Sequence, residues 1–404
     1  MFAAVGVLLY GLFSAFRARS AAPAGRPLFW AHASGRRAIA DGPVRPYLGR
    51  MTPALRSLLL LAAVGCSRTA PPADRAAPEA TGPTLTPQIS GTRQRLQAVS
   101  PVSDRVVWVS GVGGSWALTT DGGETWRAGV VPGADSLEFR DVHGLSERVA
   151  WLLAAGPGDR SRIYRTDDGG RSWTLQFTNR DTSAFYDCFA FWDSRRAFAM
   201  SDAVGGRFPV VRTGDGTTWR DIGDRLPPAQ SGEGAFAASG TCTATAGDRH
   251  GWIATGAAPR ARVLWTADGG ESWSAAGTPI LQGSSTSGGA TIAFRDTLHG
   301  MLAGGDIAAP DAAADNVAVS SDGGRTWTPA ARTPFPGAVY GLAYVPRGDG
   351  RTVVATGPGG AAWTADEAGR WRTIEGARDF WAVGFAGSTG WLVGTEGRIL
   401  RLGF

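Results

Sequence analysis

Three kinds of side chain in this sequence have the chemistry for a metal site, a redox pair or a hydrolytic site. His143, His250 and His299 each stand directly before a glycine, and neutral imidazole is a common zinc ligand. Cys188 and Cys242 could form a disulfide or remain thiols. Tyrosine serves as the nucleophile in one class of glycosidase, and the candidates are Tyr164, Tyr186, Tyr340 and Tyr344. Which of these groups can meet depends on the elements that hold them.

One short pattern recurs six times between residues 119 and 371. Its copies read TTDGGETW, TDDGGRSW, TGDGTTW, TADGGESW, SSDGGRTW and TADEAGRW. The Asp carboxylate can accept N–H groups across a tight turn, Gly supplies a positive φ, and Trp covers the turn. We call this element the Asp–Trp hairpin. Its marker residues are Asp121 and Trp126, Asp168 and Trp173, Asp215 and Trp219, Asp268 and Trp273, Asp322 and Trp327, and Asp366 and Trp371.

A strand–turn–strand pattern precedes the hairpins, as in Phe139 to Trp151, so each repeat predicts four strands. A seventh unit, residues 380–404, ends before its hairpin and has three strands. The segment around Leu85–Gly91 is expected to supply the fourth. The sequence therefore predicts an all-β fold, a seven-bladed β-propeller of four-stranded antiparallel blades closed by an N-terminal strand. Six blades with an irregular closing unit is the alternative.

The hairpin resembles the Asp-box (BNR repeat) of sialidase-like propellers. The chain as a whole resembles the photosystem II stability/assembly factor-like propellers, and most of all their bacterial relatives, which are often labelled "oxidoreductase". The stretches FYDCFAFWD (185–193), GEGAFAASGTC (232–242), SSTSGGATIAFRD (284–296) and NVAVSSDGGRTW (316–327) carry this likeness, which covers roughly residues 90–404. Photosynthetic members bind membrane-protein subunits during assembly, so the resemblance implies a protein-binding scaffold.

The repeat decides which of the candidate groups can meet. The three histidines occupy equivalent turns of different blades, so they are not expected to converge on one metal ion. Cys188 and Cys242 are related by the 54-residue shift that aligns Phe198 with Trp252, which places both on innermost strands of adjacent blades. In an oxidising compartment this favours a disulfide between them, and inert buried thiols are the alternative.

Neither enzyme class has its motif in the sequence. A sialidase would need an arginine triad, a Tyr–Glu pair and an Asp acid, and nothing near the beginning of the body resembles the Arg-Ile-Pro motif of that family. A dinucleotide-binding G-x-G-x-x-G before a helix, a C-x-x-C-H haem site and a C-x-x-C pair are all missing. We therefore predict no catalytic residue, no metal and no cofactor. A glycan-binding or sialidase-like propeller is the alternative function.

The N-terminal part is predicted to be an export signal. One Arg and a run of leucines lead to Ala63-Val64-Gly65-Cys66, which resembles a bacterial lipobox with Cys66 as the lipidated residue. On this interpretation residues 1–50 are a mis-annotated upstream extension, 51–66 the lipoprotein signal, 67–88 a disordered tether and 89–404 the propeller. The alternative is that Leu58–Val64 is an ordinary buried segment.

Charge and loop lengths point to proteins as the partners. Residues 1–66 contain eight arginines and one acid, so the remaining chain is close to neutral and gives no case for nucleic acid. Long loops on a rigid frame often bind partners, and here they collect on one face. We expect an exported, lipid-anchored monomer that binds membrane-associated protein subunits through this face. Its predicted contact residues are Asp187, Asp202, Arg207, Glu233, Arg262 and Asp306.

Overall fold

The structure is a computed structural model that describes residues 81–367 and 369–404. It contains seven four-stranded antiparallel sheets. The innermost strands of neighbouring sheets contact one another all the way round, so the sheets close into a ring. The predicted seven-bladed propeller is therefore confirmed. The predicted extension 1–50, the signal 51–66 with Cys66, and residues 67–80 of the tether lie outside the described residues.

The first four blades follow one another along the chain, each running from its innermost to its outermost strand. Blade 1 contains β2 (Leu96–Pro101), β3 (Val107–Gly111), β4 (Ser115–Thr119) and β5 (Arg127–Val130). Blade 2 contains β6 (Phe139–Gly144), β7 (Ala150–Ala154), β8 (Arg162–Thr166) and β9 (Thr174–Thr178). Blade 3 contains β10 (Tyr186–Phe191), β11 (Ala197–Ser201), β12 (Val210–Thr213) and β13 (Trp219–Asp221). Blade 4 contains β14 (Thr243–Ala246), β15 (His250–Ala254), β16 (Arg262–Thr266) and β17 (Ser274–Gly277).

The last blade joins the two ends of the described chain. Blade 5 contains β18 (Ser287–Phe294), β19 (Gly300–Asp306), β20 (Val317–Ser320) and β21 (Thr328–Pro329). Blade 6 contains β22 (Gly341–Tyr344), β23 (Val353–Gly357), β24 (Gly360–Thr364) and β25 (Arg372–Thr373). Blade 7 contains β26 (Phe380–Ala386), β27 (Thr389–Gly394), β28 (Arg398–Gly403) and, as its outermost strand, β1 (Thr84–Ile89). Among the described residues, no helix is long and apolar enough to cross a membrane.

The closing strand corrects the predicted beginning of the folded body. Thr84 pairs with Gly403 and Ile89 with Arg398, so residues 84–88 belong to the propeller and not to the tether. Their Thr- and Pro-rich composition suggested disorder. Pro87 is tolerated because β1 is an outermost strand, where the N–H that proline lacks has no ladder partner to lose.

The Asp–Trp hairpins join the third and fourth strands of blades 1 to 6 and have the expected internal bonding. In the first, Oδ1 of Asp121 accepts the N–H of Thr125 at 3.0 Å, and Gly122 and Gly123 have φ of 81° and 91°. Neighbouring blades add further contacts. Gln88 of β1 donates to the carbonyl of Gly122 and accepts the indole N–H of Trp126. The hairpins therefore stabilise the contact between adjacent blades as well as their own turns.

The strand order gives the ring two different faces. Loops from each outermost strand to the next innermost strand share one face with the connections between second and third strands; we call it the loop face. The turns between first and second strands share the other face with the Asp–Trp hairpins; we call it the turn face. Both assignments follow from the antiparallel order within each blade.

Candidate functional site

The axis of the ring is crossed by an irregular segment between blades 3 and 4. The carbonyl of Ala237 accepts an N–H of Arg140 in blade 2 at 3.3 Å. Oγ of Ser239 donates to the carbonyl of Tyr340, just before blade 6, and the hydroxyls of Thr241 and Thr291 of blade 5 are 2.7 Å apart. Contacts with blades on opposite sides place this segment across the centre. We call residues 234–241 the axial strap.

Five side chains around the strap form a half-buried cluster on the loop face, which we call the axial rim: Arg95, Glu138, Arg140, Tyr340 and Trp381. Each lies at, or within two residues of, the first residue of an innermost strand. The guanidinium carbon of Arg95 is 5.2 Å from the Trp381 ring centroid. Tyr340 meets Trp381 edge to face, with centroids 5.8 Å apart.

The rim contains two guanidiniums and one carboxylate. Oε2 of Glu138 accepts both Nε and Nη2 of Arg140, at 2.9 and 2.7 Å. Nη2 of Arg95 is 3.9 Å from the same oxygen. Nε of Arg95 is buried, out of reach of solvent, and has no acceptor among the described residues. Burial lowers the pKa of Arg95, and Glu138 opposes this only in part. Arg95 is thus a poorly compensated cation beside two aromatic rings.

Two neighbouring carboxyl groups lie under one end of the strap, that of Asp187 buried and that of Asp202 partly exposed. Asp187 lies on β10 and Asp202 follows β11, and Oδ2 of Asp187 is buried without a hydrogen-bond partner among the described residues. Burial raises the pKa of both carboxyl groups, and the neighbouring Asp202 adds to this effect on Asp187. Oδ1 of Asp202 accepts the N–H of Ala235 at 3.0 Å. Each of two neighbouring carboxyl groups in a poorly hydrated site disfavours the charge of the other.

A buried ion pair fixes the chain just before the strap. The side chain of Glu233 is fully buried, and its Oε1 accepts Nε of Arg262 at 2.9 Å. The same carboxylate accepts the hydroxyl of Thr255 and the backbone N–H of Gln230. Its charge is therefore satisfied internally, as a buried carboxylate requires.

These placements revise the predicted contact set. Asp187 and Glu233 are 1 % exposed, so neither can touch a partner in this structure. Arg262 is committed to Glu233, and Arg207 pairs with Asp221 and Asp224. Four of the predicted residues keep some accessible surface: Asp202, Arg207, Arg262 and Asp306. Charged residues at this face are expected from the sequence to be exposed, whereas in the structure Asp187 and Glu233 are covered.

Cys188 and Cys242 are joined by a disulfide, with their Cα atoms 6.0 Å apart. Both residues are fully buried. Cys242 comes directly after the strap and Cys188 directly after Asp187. The bridge therefore attaches the end of the strap to the innermost strand of blade 3.

The three histidines of the turn face lie on separate blades. His143 stacks on Phe191 at 4.1 Å, and burial lowers its pKa to about 4. His250 packs against Trp252. His299 is 2.9 Å from Asp296. Within the described residues, no group of three His, Cys, Asp or Glu side chains is arranged to hold a metal ion.

One cluster on the turn face has the residue types of a sialidase site. Tyr344 donates to Oε1 of Glu367 at 2.8 Å, and Arg295 and Arg351 contact the same carboxylate. Burial and the nearby Glu367 raise the pKa of Tyr344 far above its usual range, which disfavours a phenolate nucleophile. Both arginines are turned to Glu367, so they are not presented to an acidic sugar. The cluster therefore joins blades 5 and 6 through hydrogen bonds and ion pairs to Glu367.

Solved structures share the fold at low sequence identity. "YCF48 bound to D1 peptide" has a TM-score of 0.57 and 14 % identity, covering 81 % of this chain and 97 % of that one. "YCF48 from Cyanidioschyzon merolae" has a TM-score of 0.56 and 16 % identity, covering 79 % and 98 %. A catalytically inactive virginiamycin B lyase from Staphylococcus aureus, solved with quinupristin, has a TM-score of 0.56 and 13 % identity, covering 80 % and 99 %.

No protein-family model and no curated protein sequence matches the chain. At these identities the likeness is one of fold. Propellers of this shape include a protein solved with a bound peptide and a lyase solved with its ligand, so fold alone does not choose between binding and catalysis. The chain has the seven-bladed propeller fold that its resemblance to the assembly factor-like propellers implies.

Proposed function

We propose that this protein is an exported, lipid-anchored scaffold that binds membrane-associated protein partners through the axial rim. The observation that carries the proposal is the half-exposed cluster of Arg95, Tyr340 and Trp381 at the centre of the loop face. Tryptophan, tyrosine and arginine are the residues that most often dominate protein–protein binding energies. The peptide-bound propeller among the similar structures supports the same use of the fold.

The rim fits an extended segment that carries a carboxylate. Arg95 and Arg140 share the single carboxylate of Glu138, so the rim has one more positive than negative side chain. A guanidinium binds a carboxylate through two parallel N–H groups, and the side chains of Arg95 and Arg140 both keep part of their surface accessible. Trp381 and Tyr340 would pack against the apolar part of the same segment. The strap blocks passage through the ring, so the segment would lie across the face.

The anchor and the monomeric state rest on the sequence and on the closed ring. Cys66 would be lipidated after export, and about two acyl chains are enough for stable attachment to a membrane. Metabolic labelling with a palmitate analogue tests this directly. The label should appear in the wild type and be lost in Cys66→Ser. A labelled Cys66→Ser protein, or an unlabelled wild type, would remove the anchor from the proposal.

Affinity capture from detergent-solubilised membranes of the native host tests the function. The bait is the anchored full chain, and the matched variants are Arg95→Gln and Trp381→Ala. Arg325→Gln and Trp265→Ala are the controls, because Arg325 also lies over an aromatic ring, that of the partly exposed Trp265, at 4.7 Å, but away from the rim. Each rim variant should weaken capture of the partner by about tenfold or more, as hot-spot residues do, and the controls should not.

Two results would count against the scaffold. Equal capture by rim and control variants would show that the partner does not bind through the rim. Saturable binding of sialosides or a polysaccharide, in place of protein, would favour the glycan-binding alternative. Isothermal titration with both ligand classes distinguishes these outcomes with the same purified chain.

A further inference from the structure

We propose that residues 307–316, which we call the blade-5 loop, form a second contact surface beside the axial rim. This surface binds an apolar stretch with basic side chains, which belongs to the same partner polypeptide that places a carboxylate on the rim. The inference extends the proposed function and rests on it. The two can still fail separately, because different peptides test the carboxylate and the basic stretch.

The blade-5 loop is the longest connection between the second and third strands of any blade. It has ten residues, whereas the other six connections have two to eight. Seven of its ten residues are apolar and none is basic. Ile307 is 39 % exposed, and the other exposed apolar residues are Ala308, Pro310, Ala312 and Ala313. Exposed apolar side chains that cluster on a soluble protein mark an interaction site more often than single ones do.

Backbone hydrogen bonds to both neighbouring segments hold the blade-5 loop in place. The N–H of Ile307 donates to the carbonyl of Thr286, in the segment before blade 5, at 3.0 Å. The carbonyl of Ala312 accepts the N–H of Gly337, in the segment before blade 6, at 2.9 Å. The loop is therefore ordered before a partner arrives, so binding does not have to supply the free energy for ordering it.

The blade-5 loop lies beside the rim. Gly304, near the end of β19, accepts the N–H of Val339 at 2.9 Å. The next residue along the chain is Tyr340, which meets Trp381 in the rim. The loop that follows β19 and the aromatic part of the rim are thus neighbouring parts of the loop face, and one extended polypeptide segment can contact both.

Acidic side chains border the apolar surface and have no counter-ion. Asp306 directly precedes the blade-5 loop, and Asp311 and Asp315 lie in it. Among the described residues none of the three forms an ion pair, although Arg332 is exposed in the segment before blade 6. Complementary charges attract a partner, and like charges exclude one. The occupant that fits is therefore apolar and basic.

Fluorescence anisotropy with labelled synthetic peptides and the full purified chain tests the inference. The reference peptide contains Lys-Leu-Lys-Leu, a flexible Gly-Ser spacer and a free C-terminal carboxylate, so that its two ends can reach both surfaces at once. A second peptide has Gln in place of Lys, and a third has Ser in place of Leu. The wild type should bind the reference peptide at least about fivefold more tightly than either of them. Added salt should reduce only the difference between Lys and Gln.

One pair of variants assigns the apolar contact. Ile307→Ser should bind the Leu and Ser peptides equally. Leu298→Ser is the matched control, because Leu298 is also an exposed apolar residue, at 47 %, but lies on the turn face. This control should keep the wild-type preference for Leu.

A second pair assigns the charged contact. Asp311→Asn/Asp315→Asn should bind the Lys and Gln peptides equally. Asp104→Asn/Asp248→Asn removes two exposed carboxylates from the turn face and changes the net charge by the same amount. It should keep the wild-type preference for Lys.

Three results would overturn the inference. They are equal or undetectable binding of the three peptides, preferences that survive in the blade-5 loop variants, and self-association of the wild type that Ile307→Ser abolishes. The last result, measured by sedimentation, would assign the surface to a second copy of the chain. A fourth peptide, the reference sequence with an amidated C-terminus, tests the rim alone. If it binds as tightly as the reference peptide while the preferences for Lys and Leu remain, the proposed carboxylate contact of the rim fails and the contact of the blade-5 loop stands.

Discussion

Removing the disulfide should lower the stability of the whole propeller by an amount that can be worked out. Cys188 and Cys242 are 54 residues apart in the sequence. Closing a loop of that length in the unfolded chain corresponds to about 4 kcal/mol at 25 °C in the chain-entropy model. Both side chains are fully buried, and a free Cys packs as a small apolar side chain, so a double Cys→Ala variant loses little else.

The expected change in melting temperature follows from the size of the body. With about 320 ordered residues and about 2.1 cal/mol/K of unfolding entropy per residue, the entropy of unfolding is about 0.7 kcal/mol/K. A loss of about 4 kcal/mol then lowers the melting temperature by about 6 °C. Scanning calorimetry of Cys188→Ala/Cys242→Ala against the oxidised wild type measures it.

The control separates the cross-link from the side chains. Wild type that is unfolded, reduced and then refolded under reducing conditions keeps two free thiols. It should melt close to the double variant. The oxidised wild type should show no free thiol when it is unfolded in the presence of an alkylating reagent. Two alkylated cysteines in that experiment, or a melting temperature of the double variant within about 1 °C of the oxidised wild type, would refute the reasoning.

Three further changes have definite expected outcomes. Glu367 has a φ of 66° at the hairpin position where the first hairpin has Gly122. Glu367→Ala and Glu367→Gly both lose the side-chain contacts of Glu367, but only alanine keeps the backbone strain. Glu367→Ala should therefore be less stable than Glu367→Gly by about 1 kcal/mol in urea denaturation. Gln88→Ala and Gln176→Ala should each cost about 1 kcal/mol in the same assay, since both glutamines bond a neighbouring hairpin. Burial lowers the pKa of His143 to about 4, so its neutral form stabilises the fold above about pH 6.5 and this stabilisation is lost as the pH falls towards 4. His143→Phe should remove the dependence of stability on pH between these values. An NMR titration midpoint of His143 near 6.5 would contradict the prediction.

The fold was predictable because its signals are local and repeated. Each Asp–Trp hairpin carries its turn chemistry within about eight residues, and the missing fourth strand of the last blade points to a strand elsewhere in the chain. The boundary at residue 89 was wrong because outermost strands tolerate a composition typical of linkers, as Pro87 shows. The relation between Cys188 and Cys242 was visible for the same reason as the blades, since both occupy one repeat position.

The axial rim was not predicted from the sequence, because its members come from distant parts of the chain. Arg95, Glu138, Tyr340 and Trp381 enter from four different blades and share no sequence pattern apart from their place at the beginning of an innermost strand. That place was a usable signal, since such residues surround the axis in any propeller. The burial of Glu233 was hidden for a different reason, because nothing local shows that the loop around it folds inward onto Arg262.

In a ring of near-equivalent blades, function is expected where one blade departs from the repeat. Blades 2, 3, 5 and 7 are preceded by connections of 6 to 9 residues, whereas residues 222–242, 21 in all, lead into blade 4. That insertion contains Glu233, the strap and Cys242, and it places a backbone carbonyl on Arg140 of the rim. The departure of blade 4 from the repeat therefore reaches the axial rim, the surface through which we propose that partners bind.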